Sequence, residues 1–154
     1  MTTYYLDTSA LIKRYVTETG SEWVQSLFDS KEDHLFITSR LTMPEAFSAF
    51  ARRLRDQSVT LAQYNLNVDL FHDDSSRTYK YVELTLDVIN LSRHLLEKYP
   101  LRANDAVQLA SAILTNRLLV SANMPQVRFL CADNNLILAA TAGGLFSENP
   151  NEKT

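Results

Sequence analysis

The chain of 154 residues has one cysteine, three glycines and four prolines, and each scarcity excludes a class of protein. A single thiol, Cys131, rules out an internal disulfide framework and a four-thiolate zinc site. So little Gly and Pro leaves no collagen-like or low-complexity tract. No apolar stretch approaches the roughly 18 residues that suggest a membrane span. Met1-Thr-Thr-Tyr-Tyr lacks the basic start and apolar run of a signal peptide. The cytoplasm is therefore the expected address, with no membrane partner. The three histidines, His34, His72 and His94, form no pair at metal-ligand spacing. With no evident partner for a serine or for Cys131, a His–Asp–nucleophile enzyme is disfavoured. Positive charge is also not in excess: fifteen basic against eighteen acidic residues leave a net charge of −3. Proteins that coat nucleic acid draw their affinity from phosphate neutralisation. The balance argues against that class, but not against an enzyme with a local basic rim around an acidic, metal-loaded site.

What is present reads as one ordinary domain. Apolar residues make up 45% and charged residues 21%, and a chain this long buries about 68–70% of its unfolded surface. Strands are expected at Thr3–Leu6, Leu35–Thr38, Tyr81–Leu86 and Val127–Cys131. Helical periodicity marks Ala10–Val16, Glu22–Ser30, the stretch from Thr42 through Leu54, Thr60–Asp69, Asp87–Lys98, Arg102–Leu119 and Asn134–Thr141. His72–Ser76 reads as a turn. Residues 1–147 form the expected domain, and 148–154 read as a disordered tail. Strands separated by helices imply a three-layer α/β/α sandwich around a mostly parallel sheet. In such sheets ligands bind beyond the carboxyl ends of the strands.

Carboxylates stand where that rule directs attention. Asp7 immediately follows the first strand, and Glu45 lies in the first turn of the helix after the second. Asp133 follows the last strand, and Asp105 opens the long helix before it. Each has a plain structural reading. Thr42-x-x-Glu45 is a capping-box pattern, and the three aspartates suit helix starts as N-caps or as acids matched to the helix dipole. Taken together they argue for more. Two like charges about 4 Å apart repel by ~4 kcal/mol at an effective dielectric of about 20, and helix N-termini return only ~0.3–1 kcal/mol each. A divalent cation supplies the missing charge, and oxygen-only ligands select hard ions such as Mg²⁺ or Mn²⁺.

The residues around these acids resemble the PIN-domain family, in particular the VapC-type toxins of toxin–antitoxin pairs. Leu6-Asp7-Thr8-Ser9-Ala10-Leu11-Ile12-Lys13 resembles its opening motif, and Tyr15 to Ser21 continues the likeness. Pro44-Glu45-Ala46 matches the family's glutamate, Leu101-Arg-Ala-Asn-Asp105-Ala-Val-Gln-Leu-Ala110 its third acid motif, and Phe129-Leu-Cys-Ala-Asp133-Asn-Asn-Leu136 its fourth. Cys131 stands where the family commonly has Ser or Thr, and Gln108 where it often has His. The resemblance implies a PIN-like fold and a Mg²⁺- or Mn²⁺-dependent endoribonuclease with Asp7, Glu45, Asp105 and Asp133 as catalytic and metal-binding residues. It further implies an RNA substrate such as tRNA or rRNA, a cognate antitoxin protein and a homodimer. The alternative is a catalytically weak PIN-like module that binds RNA or protein.

Thr8 or Ser9 is a candidate to orient Asp7 or a ligating water, with helix capping the equal alternative, and Asn135 is a further candidate beside the acids. Lys13 and Arg102 are the candidates for RNA phosphates, whereas Arg52, Arg53 and Arg55 read as a solvated helix face. Cys131 reads as an inert core thiol. Trp23, Phe28, Phe47 and Phe50 read mainly as core, with some free to line a groove for an antitoxin segment. Two other α/β enzymes fail on residues. A haloacid-dehalogenase-like phosphatase wants a second Asp where Ser9 stands, and a response-regulator receiver lacks an evident phosphoacceptor Asp and later Lys.

Overall fold

Strand β1 (Thr3–Leu6) is buried along its whole length, as a central strand covered on both faces must be. The computed structural model describes residues 1–153. After β1 come the short helix α1 (Thr8–Leu11), a 3₁₀ turn at Ile12–Arg14, α2 (Ser21–Phe28), β2 (Leu35–Ser39), α3 (Thr42–Arg55) and α4 (Leu61–Arg77). Then follow β3 (Tyr79–Val82), α5 (Leu86–Lys98), α6 (Ala103–Ser121), β4 (Arg128–Leu130), α7 (Asn134–Ala142), β5 (Phe146–Glu148) and a 3₁₀ turn at Pro150–Glu152.

The five strands form one sheet in the order β3-β2-β1-β4-β5, and every pairing is parallel. Residues that alternate along a strand face opposite sides, and the core divides accordingly. Tyr5, Ile37 and Phe129 pack with α5, α6 and α7 residues such as Val88, Leu109 and Leu136. Tyr4, Leu6, Phe36 and Leu130 pack on the other side with Leu11, Phe50 and Phe71. The result is the expected three-layer α/β/α sandwich. The order of the strands reverses between β1 and β4, and the crevice beyond that switch point is where such a sheet takes ligands.

Three expectations from sequence are corrected. Helix α4 runs through His72–Ser76, where the composition suggests a turn. No Gly or Pro interrupts it, a Thr60–Gln63 capping box starts it, and Phe71 and Asp74 are buried on its inner face. Asp74 accepts hydrogen bonds from Arg14 Nε at 3.1 Å and the Tyr15 hydroxyl at 2.8 Å, which holds that second half in place. Strand β3 lies at Tyr79–Val82 rather than Tyr81–Leu86, because Thr85 is already the N-cap of α5 through Val88 N–H.

The third correction concerns residues 148–154, which read as a disordered tail. Glu148 ends β5, which extends the sheet beside β4. Asn149 is buried and its amide donates to Asn134 Oδ1 at 2.8 Å. Lys153 pairs with Glu148 at 2.6 Å and stacks over the Trp23 ring. Only Thr154 lies outside the described residues.

That C-terminal segment rests against Gly20, which has φ +81°. A Cβ there would stand 2.4 Å from the Pro150 carbonyl oxygen. Left-handed backbone costs a non-glycine residue roughly 1–2 kcal/mol before any clash. Gly20→Ala is therefore expected to lower the melting temperature and to expose residues 149–153 to limited proteolysis. An unchanged melting curve would mean that the segment does not depend on this contact.

Candidate active site

One cleft of about 810 Å³ lies past the carboxyl ends of β1 and β4, and Asp7, Glu45, Asp105 and Asp133 all line it. Each arrives from a different element. Asp7 leaves β1 as the N-cap of α1, and its own N–H donates to Leu130 O at 3.0 Å, continuing the β1–β4 ladder. Asp133 is the N-cap of α7, two residues past the Cys131 that follows β4. Glu45 and Asp105 sit in the first turns of α3 and α6.

The capping-box reading of Thr42 and Glu45 does not hold. Thr42 is already the first helical residue and its hydroxyl is buried beside Thr38 at 2.6 Å, so it caps nothing. Glu45 is thereby free of its own helix and is held from elsewhere. Its Oε1 accepts from the Thr8 hydroxyl at 2.9 Å and from Gln108 Nε2 at 2.8 Å, and its Oε2 from Asn104 Nδ2 at 2.8 Å.

The three aspartates share a different pattern: protein donors engage one oxygen and leave the other. Asp7 Oδ2 accepts from the Ser9 hydroxyl at 2.5 Å, from Ser9 N–H at 3.2 Å and from the Cys131 thiol at 3.5 Å. Asp105 Oδ2 faces Arg102 Nε at 3.1 Å. Asp133 Oδ1 accepts from the backbone N–H groups of Asn135 and Leu136. Among the described residues, Asp7 Oδ1, Asp105 Oδ1 and Asp133 Oδ2 accept no hydrogen bond from the protein. A carboxylate oriented through one oxygen and open at the other is how a metal ligand is prepared.

Among the described residues no three His, Cys, Asp or Glu side chains already stand close enough to be a ready-made ligand set. The four acids share the cleft while each is engaged by its own partners. Their donor chemistry, carboxylate oxygen throughout, nevertheless fits a hard divalent cation such as Mg²⁺ or Mn²⁺.

The electrostatics point the same way. Burial pushes the Asp7 carboxyl up to about 6, and the charge of Glu45 adds to it, while the Ser9 and Cys131 hydrogen bonds act against the rise. Without a cation, Asp7 holds its proton more tightly than a free carboxyl does. Arg102 pairs with Asp105, but its side chain is 75% exposed, so water screens that pair. The ammonium of Lys13 is buried against Glu18 Oε1 at 3.0 Å and Thr19 O at 2.6 Å.

The remaining expectations divide. Ser9 holds Asp7, whereas Thr8 donates to Glu45 instead, and Asn135 bonds Asp133 through its backbone N–H while its side chain is exposed. Lys13 and Arg102 line the cleft, with Lys13 committed mainly to Glu18. Arg52 and Arg53, expected on a solvated face, line the cleft as well, and Arg53 also bonds Glu18 at 3.0 Å. Arg40 pairs with Glu83 and stacks on Tyr81. Phe50 is core, whereas Trp23, Phe28 and Phe47 are half-buried against it.

Cys131 is buried as expected, yet it belongs to the site. Its thiol donates to Asp7 and its sulfur accepts from Asp133 N–H at 3.3 Å. Burial and the Asp7 charge push that thiol far up, so it stays protonated and neutral. Asn104 and Gln108 carry no charge, so nothing in their residue type marks them as part of an acidic site. What marks them in the sequence is their place in the third acid motif, where Gln108 stands at a position often held by His, and a spacing that puts Asn104, Asp105 and Gln108 on one face of α6.

The raised carboxyl of Asp7 predicts a pH dependence in chelator. The folded chain binds this proton more tightly than the unfolded chain, whose carboxyl titrates near 3.8. The associated stability is present below pH ~4 and is lost as pH rises through ~6, by about 3 kcal/mol in full. Asp7→Asn removes that loss. Its stability relative to wild type is expected to climb between pH ~4 and ~6 and then level off. A difference in melting temperature that stays flat across that range would contradict the assignment.

The fold and the cleft can be set beside known proteins. Residues 4–124 match the PIN domain family. Ribonuclease VapC45 and Ribonuclease VapC49, from two strains of Mycobacterium tuberculosis, are each 36% identical over 109 residues, which is 71% of this chain and 74% of theirs. A toxin–antitoxin complex from Klebsiella pneumoniae superposes with a TM-score of 0.60 at 16% identity, over 96% of this chain and 97% of that one. FitAcB from Neisseria gonorrhoeae gives 0.59 at 14% identity, over 97% and 99%. At such identities the structural likeness is one of fold. The match across most of the chain and the shared identity with the two ribonucleases place it: the chain belongs to the PIN-domain family, in its VapC-type group.

Proposed function

We propose that this chain is a Mg²⁺- or Mn²⁺-dependent endoribonuclease that acts as the toxin of a toxin–antitoxin pair. The observation that carries the reading is the convergence of four carboxylates, from four elements, on one cleft at the sheet's switch point. The names of the two 36% identical relatives support ribonuclease as the reaction class.

Asp7, Glu45, Asp105 and Asp133 would hold the cation. When bound, it supplies the charge that makes water a nucleophile near neutral pH and that offsets charge building on the phosphoryl oxygens. The chain's own residues do the rest. Ser9 and Cys131 keep Asp7 from rotating, and the α7 N-terminus does the same for Asp133. Arg102, exposed at the rim, and Arg52 on α3 offer positive charge to an RNA backbone that the acidic floor alone would repel. The substrate is RNA, with tRNA and rRNA as the classes to test.

The partners follow from the same reading. A cognate antitoxin would cover half-buried Trp23, Phe47 and their neighbours between the early helices. A homodimer would cover the apolar side chains that α5 exposes, among them Leu86 and Ile89. No described helix is long and apolar enough to cross a membrane, and the cytoplasm is the proposed address.

The test is cleavage of a tRNA and rRNA pool by the chain freed of any co-purified partner, with Mg²⁺ or Mn²⁺. Cutting at discrete sites is expected, abolished by chelator. Metal-assisted charge stabilisation is worth several kcal/mol, so Asp7→Asn should lower the rate by about 100-fold or more. The same substitution should reduce the rise in melting temperature that Mn²⁺ gives the wild type. Metal binding without cleavage of any RNA would favour the binding-module alternative, and equal Mn²⁺ stabilisation of wild type and all four acid variants would remove the shared metal site.

A further inference from the structure

Beneath the cleft lies a hydrogen-bonded chain that reaches from the middle of β1 to Glu45. Gln108 is its hub and is only 1% exposed. The Tyr5 hydroxyl donates to Gln108 Oε1 at 2.9 Å, and Gln108 Nε2 donates to Glu45 Oε1 at 2.8 Å and to Thr42 Oγ1 at 2.9 Å. The amide can face only one way. A reversed Gln108 would set its carbonyl oxygen against the Glu45 carboxylate, two acceptors with no proton between them.

The order of donors continues through the threonines. Thr38 gives its proton to Leu6 O at 2.7 Å, so Thr42 must donate to Thr38 across their 2.6 Å contact. That leaves the Thr42 oxygen to accept from Gln108. By the shortest contacts the two Gln108 N–H protons go to Glu45 and Thr42, and the Thr8 hydroxyl oxygen lies further from Gln108 Nε2, at 3.2 Å.

The consequence falls on Glu45. A carboxylate has about four lone-pair sites. The Thr8 hydroxyl and Gln108 occupy both on Oε1, and Asn104 occupies one on Oε2. One site remains, on Oε2. All three donors are neutral, so they orient Glu45 without cancelling its charge.

We propose that Gln108 and Tyr5 are positioning residues that act through Glu45, selecting Oε2 as the single oxygen it offers to a divalent cation. This rests on the reading of Glu45 as a metal ligand, and the experiment separates the two. It is a calorimetric titration of the metal-free chain with Mn²⁺, paired with thermal melting, on Glu45→Gln, Gln108→Met, Tyr5→Phe, the Tyr5→Phe/Gln108→Met double variant and Phe71→Leu.

Loss of an outer hydrogen bond to a metal ligand typically weakens metal binding 10–100-fold, so Gln108→Met should weaken Mn²⁺ binding by about 10-fold or more. Tyr5→Phe should weaken it less, because the Glu45 contact itself survives. In the double variant the two effects should not add. Its melting temperature should nevertheless exceed that of Gln108→Met, since the single variant strands a buried Tyr5 hydroxyl and the double does not. Phe71→Leu, a core change remote from the network, should lower the melting temperature and leave Mn²⁺ affinity alone.

If Glu45→Gln weakens Mn²⁺ binding and Gln108→Met does not, the positioning role is overturned while the metal site stands. If the double variant regains affinity together with its melting temperature, Gln108 is structural only and the proposal falls. If Glu45→Gln leaves Mn²⁺ binding unchanged, the metal role of Glu45 falls and the proposal with it. Should Gln108→Met fail to fold, unchanged affinity in Tyr5→Phe would overturn the proposal by itself.

Discussion

The parallel pairing of β1 with β4 brings together two loops that stand 124 positions apart in the chain. Leu6 lies beside Leu130, and the Asp7 N–H continues their ladder by donating to Leu130 O. Because both strands run the same way, both chains leave the sheet at the same edge, and each turns at once into a helix whose N-cap is an aspartate. Break that pairing and Asp7 loses its neighbour Cys131, the shared wall of the cleft and its proximity to Asp133. Every other feature of the site is added to this one contact.

Burial beside these loops has an electrostatic cost that the fold distributes among small neutral groups. A thiol, two hydroxyls and two amides, from Cys131, Ser9, Thr8, Gln108 and Asn104, hold Asp7 and Glu45. Cations are kept at the margin: Arg102 is exposed, and Lys13 and Arg53 are drawn off to Glu18. A fold built for stability alone would place a guanidinium among the acids, since an uncompensated buried charge is expensive. Neutral donors fix direction and leave the net charge in place, and that charge is what a divalent cation would answer.

Much of this is legible in the order of residues along the chain. Asp7, Glu45, Asp105 and Asp133 stand out because strand-to-helix transitions are readable from local pattern, and the edge where parallel strands end is a general rule of such sheets. The hydroxyls of Thr8 and Ser9 are legible for the same reason, lying one and two residues from Asp7. The extra turns of α4 and the ordered end of the chain are not. His72–Ser76 has the composition of a turn, and it is helical because Asp74 finds Arg14 and Tyr15 some 60 residues away. Residues 148–153 look polar and unstructured locally, and they are placed by an open sheet edge at β4 and by the absence of a side chain at Gly20.

The amino-acid sequence by itself determined the class of fold, the identity of the four acids and the hard-ion chemistry they suit, because each of these depends on residue type and short-range order. Tertiary structure alone decided which oxygens are engaged and which are left, that Cys131 belongs to the site, that Lys13 turns to Glu18, and that Gln108 joins the middle of β1 to Glu45. Hydrogen-bond direction depends on distances of about 3 Å between groups up to 124 positions apart in the chain, and no local pattern in a sequence carries that information.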